Sequence, residues 1–299
     1  MLRRFLTALA FVPLLATSVA AHEFWIEPSA FRRERAGPVT FSLRVGEHFT
    51  GAVVLREAAH IERFFVTGPR GERDLVGREG DDPAGVTRLE DEGLHVVAYR
   101  SGRRSISLAA KKFETYLAED GLDDVLAWRR AHGESETEGR EVYSRAVKSF
   151  VRVGPEPTLA APSTGFDRRF GYPFELVPES DPLLVRAGGS LKVLALVDGK
   201  PAANVLVGAL QHGDAREASS MRSDGEGRVE LRLDRPGIWL IHAVHMRRAP
   251  ADTNADWESV WSSLTFDVRP AVAIAPTPPP TPAVRASDQP VPATANPAR

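Results

Sequence analysis

The period-two alternation of Val39-Thr40-Phe41-Ser42-Leu43-Arg44-Val45 constrains this chain more than any other stretch. Successive side chains of an extended strand point to opposite faces, so such a run buries one face and wets the other. Runs of strand type recur at 61–67, 94–100 and 104–108, the first ending in the turn Gly68-Pro69-Arg70-Gly71. A second group covers 191–197, 205–210, 228–233 and 237–245, with the hairpin-type turn Asp198-Gly199-Lys200-Pro201 after its first member. Two groups of short strands separated by turn signals predict an all-β chain. We expect two Ig-like or transthyretin-like β-sandwiches, one over 22–160 and one over 166–269.

A different period interrupts the first group. Leu122, Val125 and Leu126 fall at helical spacing beside Trp128, and Val142, Tyr143, Ala146, Val147 and Phe150 repeat the i, i+3, i+4, i+7 pattern. These positions predict a small helical insert near 113–150. Residues 270–299 contain Pro276-Thr277-Pro278-Pro279-Pro280-Thr281-Pro282 and lack the apolar content of a core, which predicts a disordered Pro/Ala-rich tail.

The N-terminus has the three parts of a secretory signal. Arg3 and Arg4 give the positive start, 5–16 the apolar run, and Val19-Ala20-Ala21 the small residues at which a peptidase cuts. We therefore expect a signal peptide over 1–21, cleaved after Ala20 or Ala21, and a periplasmic mature chain. The apolar run falls short of the ~20 residues that span a bilayer, so no stable membrane insertion of the mature chain is expected. The sequence contains no cysteine, which removes lipid anchoring, disulfides and thiolate metal sites together. With 38 Lys and Arg against 40 Asp and Glu, the chain has no electrostatic footprint for nucleic acid.

Histidines carry the candidate chemistry. Cleavage after Ala21 makes His22 the first residue, able to chelate a metal through its α-amine and its ring together. A tight site needs further donors, for which His245 and His242 are the candidates. Their spacing puts them on opposite faces of a straight strand. His245-Met246-Arg247-Arg248-Ala249-Pro250 reads as a strand end, which favours His245 as the ligand and leaves His242 in or beside the second core. Nucleophile elbow, phosphate loop, dinucleotide fingerprint and His-Glu-x-x-His are all absent, so we expect no enzyme.

Several segments also carry a family resemblance. They are Ala21-His22-Glu23-Phe24-Trp25-Ile26-Glu27-Pro28, Tyr116-Leu117-Ala118-Glu119-Asp120-Gly121-Leu122, Glu141-Val142-Tyr143-Ser144-Arg145-Ala146-Val147-Lys148 and Gly171-Tyr172-Pro173-Phe174-Glu175-Leu176-Val177-Pro178, followed by Asp224-Gly225-Glu226-Gly227, Gly237-Ile238-Trp239 and 261–266. The chain resembles the DUF4198 family, periplasmic proteins grouped with nickel and cobalt uptake components. That resemblance implies a divalent transition metal, Ni²⁺ or Co²⁺, carried on His22 and His245 with His242 beside them, and a membrane metal-uptake transporter as partner. Imidazole and amine donors suit Cu²⁺ as well, so a copper-binding His-brace protein, carrier or oxygenase, is an alternative reading. A non-metal interaction module built from two sandwiches is another.

Overall fold

Apolar residues on both faces of one long strand set the architecture. The computed structural model describes residues 23–271, except 215 and 217. Among the described residues the chain is mostly β, with two small helices and three sheets packed as a β-sandwich.

The first small sheet contains β1 (Glu23–Pro28), β3 (Gly37–Glu47), β4 (Thr50–Val54) and β7 (Gly85–Leu89). The large sheet runs β15 (Ser219–Arg222), β14 (Leu206–Gln211), β17 (Gly237–Arg248), β18 (Trp257–Val268), β10 (Gly139–Val153), β8 (Gly93–Ser101), β5 (Ile61–Gly68), β6 (Gly71–Asp74). The short β2 (Arg32–Arg33) and β9 (Arg104–Leu108) also pair with β10. A third sheet contains β11 (Phe174–Pro178), β12 (Gly189–Val197), β13 (Lys200–Pro201) and β16 (Arg228–Leu233). Helices α1 (Ala110–Glu119) and α2 (Asp123–Ala131) lie between β9 and β10 in the chain.

The two small sheets cover opposite faces of the large one. Val147, Val151 and Val153 of β10 pack with Phe24, Ile26, Phe41 and Leu43 of the first sheet. Their neighbours Ala146 and Phe150 pack with Phe174, Leu176, Leu191 and Val193 of the third. The strand β10 therefore has no wet face, and its period-two signal disappears. This corrects the helix expected at 142–150: the apolar residues read as a helical stripe are a doubly buried strand. The helices of the expected insert are confined to α1 and α2. A parallel ladder joins β10 to β18 from Glu141↔Trp257 to Ser149↔Thr265, so one continuous sheet crosses both halves of the chain.

One buried ion pair inside this sandwich is closely matched. Lys148 and Glu175, each 2 % exposed, form an ion pair of 2.6 Å between β10 and β11. Glu175 also accepts the backbone N–H groups of Phe170 and Gly171, at 2.7 and 3.1 Å. Lys148 donates to the Leu176 carbonyl at 3.0 Å. Burial pushes the lysine below its ordinary range, and Glu175 pulls it back. Ser263 and Thr265 of β18 donate to the Phe24 and Ile26 carbonyls, at 2.7 and 2.8 Å, which seats β1 on the large sheet.

Candidate functional site: an acidic cleft

The face of β17 turned toward β1 and the helices carries two apolar patches. Leu240 joins Trp25, Phe49 and Leu210 at one end, while Val244 and Met246 join the helices and Trp261 at the other. His242 lies between them in sequence and on the same face. There the first small sheet and the helices leave a cleft of about 350 Å³. Its walls include Glu23, Glu47, His48, Glu119, Asp120 and His242, over an apolar floor with Leu206, Leu210 and Val244. Among the described residues, no lining residue is lysine or arginine.

Two local devices aim side chains into this cleft. The β3–β4 hairpin turns on His48 and Phe49, whose φ values of 53° and 56° put both in the left-handed region. Non-glycine residues adopt it at a cost of about 1–3 kcal/mol each. Phe49 recovers a comparable amount, about 1.5–3 kcal/mol, by burial to 2 % exposure against Trp25 and His212. The buried ring holds the turn, and His48 is left at the cleft. The second device ends α1. Leu122 N–H reaches the Leu117 carbonyl at 2.8 Å and Gly121 N–H the Ala118 carbonyl at 3.2 Å, with Gly121 at φ +64°. This is a Schellman stop, and it fixes Asp120 as the residue that caps the helix.

Asp120 stands in an adverse field. The C-terminal end of a helix disfavours a carboxylate. Desolvation pushes the Asp120 carboxyl up to about 8, His242 opposes the shift, and Glu23, Glu119 and Glu141 add to it. Glu141, 3 % exposed, lies behind on β10 and is pushed up to about 7 by desolvation. It accepts hydrogen bonds from Ser259 and from Tyr116, whose ring stacks on Trp261. Among the described residues, then, several acids gather at this cleft, and its lining holds no lysine or arginine.

Of the histidines expected to bind metal, His22 lies outside the described residues. His242 lines the cleft. His245 does not, because β17 runs straight through it to Arg248 instead of ending there. Strand alternation therefore turns His245 to the opposite face, where its ring lies 5.7 Å from that of Phe174. Burial, with Arg247 nearby, lowers its basicity. The metal reading is corrected accordingly. Among the described residues no group of three or more His, Cys, Asp or Glu is arranged to hold a metal ion, so the Ni²⁺, Co²⁺ or Cu²⁺ cofactor has no site there. The nickel or cobalt uptake role and its transporter partner, which rested on that metal, fall with it. Among the described residues no helix is long and apolar enough to cross a membrane. Glu23 and Asp120 belong to segments singled out in the sequence, but their meeting at one cleft had no signal in spacing. Asp120-Gly121 at the end of a helical stretch was the one local clue.

Fold and cleft together define a mostly β protein of sandwich type, with an acidic cleft between its first sheet and its helices. The chain belongs to the DUF4198 family, whose model, described as a domain of unknown function, matches residues 19–247. That description assigns no metal and no transport. No curated protein matches the chain. Among solved structures, the D0-D1 domain of intimin is 11% identical, with 82% of this chain and 97% of that chain covered and a TM-score of 0.19. The human OSCAR ligand-binding domain is 13% identical, with coverages of 82% and 98% and a TM-score of 0.19. Three N-terminal domains of the bacteriophage RB49 highly immunogenic outer capsid protein are 9% identical, with coverages of 82% and 59% and a TM-score of 0.16. Similarity this slight carries no inference about function.

Proposed function

We propose that this protein is an exported, non-catalytic interaction module whose acidic cleft receives a basic side chain, lysine or arginine, of a partner protein. The cleft itself carries the reading: Glu119 and Asp120 line it beside Glu23 and Glu47, above an aliphatic floor, with no lysine or arginine among the described lining residues. Such a floor suits the methylene stem of a basic side chain, while the carboxylates suit its head. We assign the two sandwich units to 22–160 and 166–269, and His242 to the cleft as the group that polarises Asp120. The secretory pattern at the N-terminus supports a location outside the cytoplasm, and we place the protein in the periplasm.

The test is calorimetric titration of the exported chain with pentalysine, pentaarginine and pentaglutamate. Both basic peptides should bind, more weakly at high salt because screening shortens the reach of the carboxylates. At pH 9, where Asp120 is ionised, Asp120→Asn and Glu119→Gln should each cost about 1–2 kcal/mol, roughly a tenfold loss. Affinity should rise between pH 7 and 9, because Asp120 ionises through about 8 while lysine stays charged. Failure of both basic peptides to bind, or equal binding of pentaglutamate, would overturn the reading.

A further inference from the structure

A larger cleft, of about 640 Å³, lies remote in composition from the acidic one. It opens between the β5–β6 and β7–β8 ends of the large sheet and the connection that leaves β10 toward β11, and none of its lining residues is shared with the first cleft. Two guanidinium groups enter its lining. Half-buried Arg152 spends Nε on the Pro155 carbonyl at 2.6 Å, and exposed Arg168 spends one Nη on the Thr67 hydroxyl at 2.5 Å. Neither has a carboxylate within ion-pair distance among the described residues. Arginines of this protein do usually find one: Arg32, Arg140, Arg228 and Arg247 are all paired at 3.0 Å or less.

A third group in the lining is also unspent. Ser163 is 4 % exposed; its N–H is fixed on Asp181 at 2.7 Å, but its hydroxyl has no partner among the described residues. A buried hydroxyl without a partner costs about 1–3 kcal/mol, which a ligand oxygen would relieve. Two carboxylates share the lining. Glu156 is occupied by Arg32 and Arg269, whereas Glu92 has no cation among the described residues. The remaining walls include Pro69, Pro155 and Pro162, which are rigid and apolar. The volume falls in the range of small-molecule sites.

We propose that this cleft is a second binding site, for a small carboxylic acid that also carries an ammonium group, such as a free amino acid. Arg152 and Arg168 take the carboxylate through their unspent N–H groups, in the planar fork that suits it. Ser163 donates its hydroxyl to the same anion, and Glu92 takes the ammonium. An anion without a donor would leave Glu92 repelling it, and an amine without a carboxylate would leave both arginines unspent.

The test uses ligand-observed NMR and calorimetry on the exported chain, with L-proline, L-alanine, sodium acetate, sodium phosphate and putrescine as probes. The amino acids should bind, acetate at least fivefold more weakly, and putrescine not at all. The double variant R152Q/R168Q should lose amino-acid binding at least tenfold while keeping the wild-type Tm and the affinity for pentalysine. Glu92→Gln should bring the amino acids down to the level of acetate. Absence of binding by both amino acids, tighter binding of phosphate than of amino acids, or full affinity in R152Q/R168Q would overturn the proposal.

Discussion

Asp120 shows how a single carboxyl couples the cleft to stability. Its folded-state value of about 8 stands above the unfolded reference of 3.8, and that of Glu141, about 7, stands above 4.5. Folding therefore takes up protons between these limits. The stability these two groups contribute is fully present below about pH 4 and is lost as the pH rises through 7 and 8. Asp120→Asn holds the side chain neutral at every pH. We expect it to melt higher than wild type at pH 8.5 and at the same temperature near pH 4. Scanning calorimetry from pH 4 to 9 checks this as a difference between the two proteins, which cancels groups such as Asp214, held well below the ordinary carboxylate range by Arg216 and Arg235. Parallel curves would remove Asp120 from the linkage. The direction matters for function, since the ionised form that attracts a cation is the form that destabilises the fold. An aspartate kept at such a position trades stability for binding.

Elements decide which residues meet, and here the sequence was partly legible. The alternating strand at 39–45 lies within β3, and 94–100 and 104–108 lie within β8 and β9, because each has one exposed face or a clear turn beside it. The strand β10 was not legible, since burial on both sides erases the alternation that distinguishes a strand from a helix. The site failed for a related reason. His245-Met246-Arg247-Arg248 contains the charges of a strand end, yet β17 continues because Arg247 pairs with Glu258 at 2.9 Å across to β18. His242, expected in or beside the second core and as a candidate ligand, lines the cleft. The hairpin that presents His48 depends on a feature readable only in three dimensions: Gly46 and Gly51 stand opposite each other in the β3–β4 ladder. A Cβ on Gly46 would meet the Thr50 carbonyl oxygen at 2.0 Å, and backbone cannot step aside as a side-chain tip does. Gly46→Ala should therefore cost about 2–4 kcal/mol, at the upper end of single-substitution effects. Denaturant unfolding measures that loss, and weaker pentalysine binding should accompany it as His48 and Glu47 are displaced. A stability within about 0.5 kcal/mol of wild type would show that the hairpin tolerates the methyl group.

At the scale of the whole molecule, the shared sheet makes the two halves interdependent. A fragment ending at residue 160 retains β10 but loses β18, its partner along nine register pairs from Glu141 to Ser149. It also loses the third sheet, so Phe65, Leu94, Val96, Ala98, Ala146 and Phe150 would face water. Burying a Phe, Leu or Val side chain stabilises by about 1.5–3 kcal/mol, and the four here lose an amount comparable to the ~5–15 kcal/mol by which a domain is stable at all. The seating of β1 fails as well, because its Ser263 and Thr265 donors lie on β18. We expect the 22–160 fragment to show no cooperative melt and to bind hydrophobic dye. The full chain should unfold in one transition that coincides by tryptophan fluorescence and near-ultraviolet circular dichroism, since Trp25 reports the first sheet and Trp239 the core under the third. A fragment with its own sharp transition, or two separate transitions in the full chain, would mean that each half closes its own core. The cleft follows the same logic: Glu23 and Glu47 come from the first sheet, Asp120 from the helical stop, and His242 from a strand laid down more than a hundred residues later in the chain. Only a fold that completes as a unit brings these groups to one receptor, so cation binding and the cooperative transition should be lost together in any truncation that removes β17 or β18.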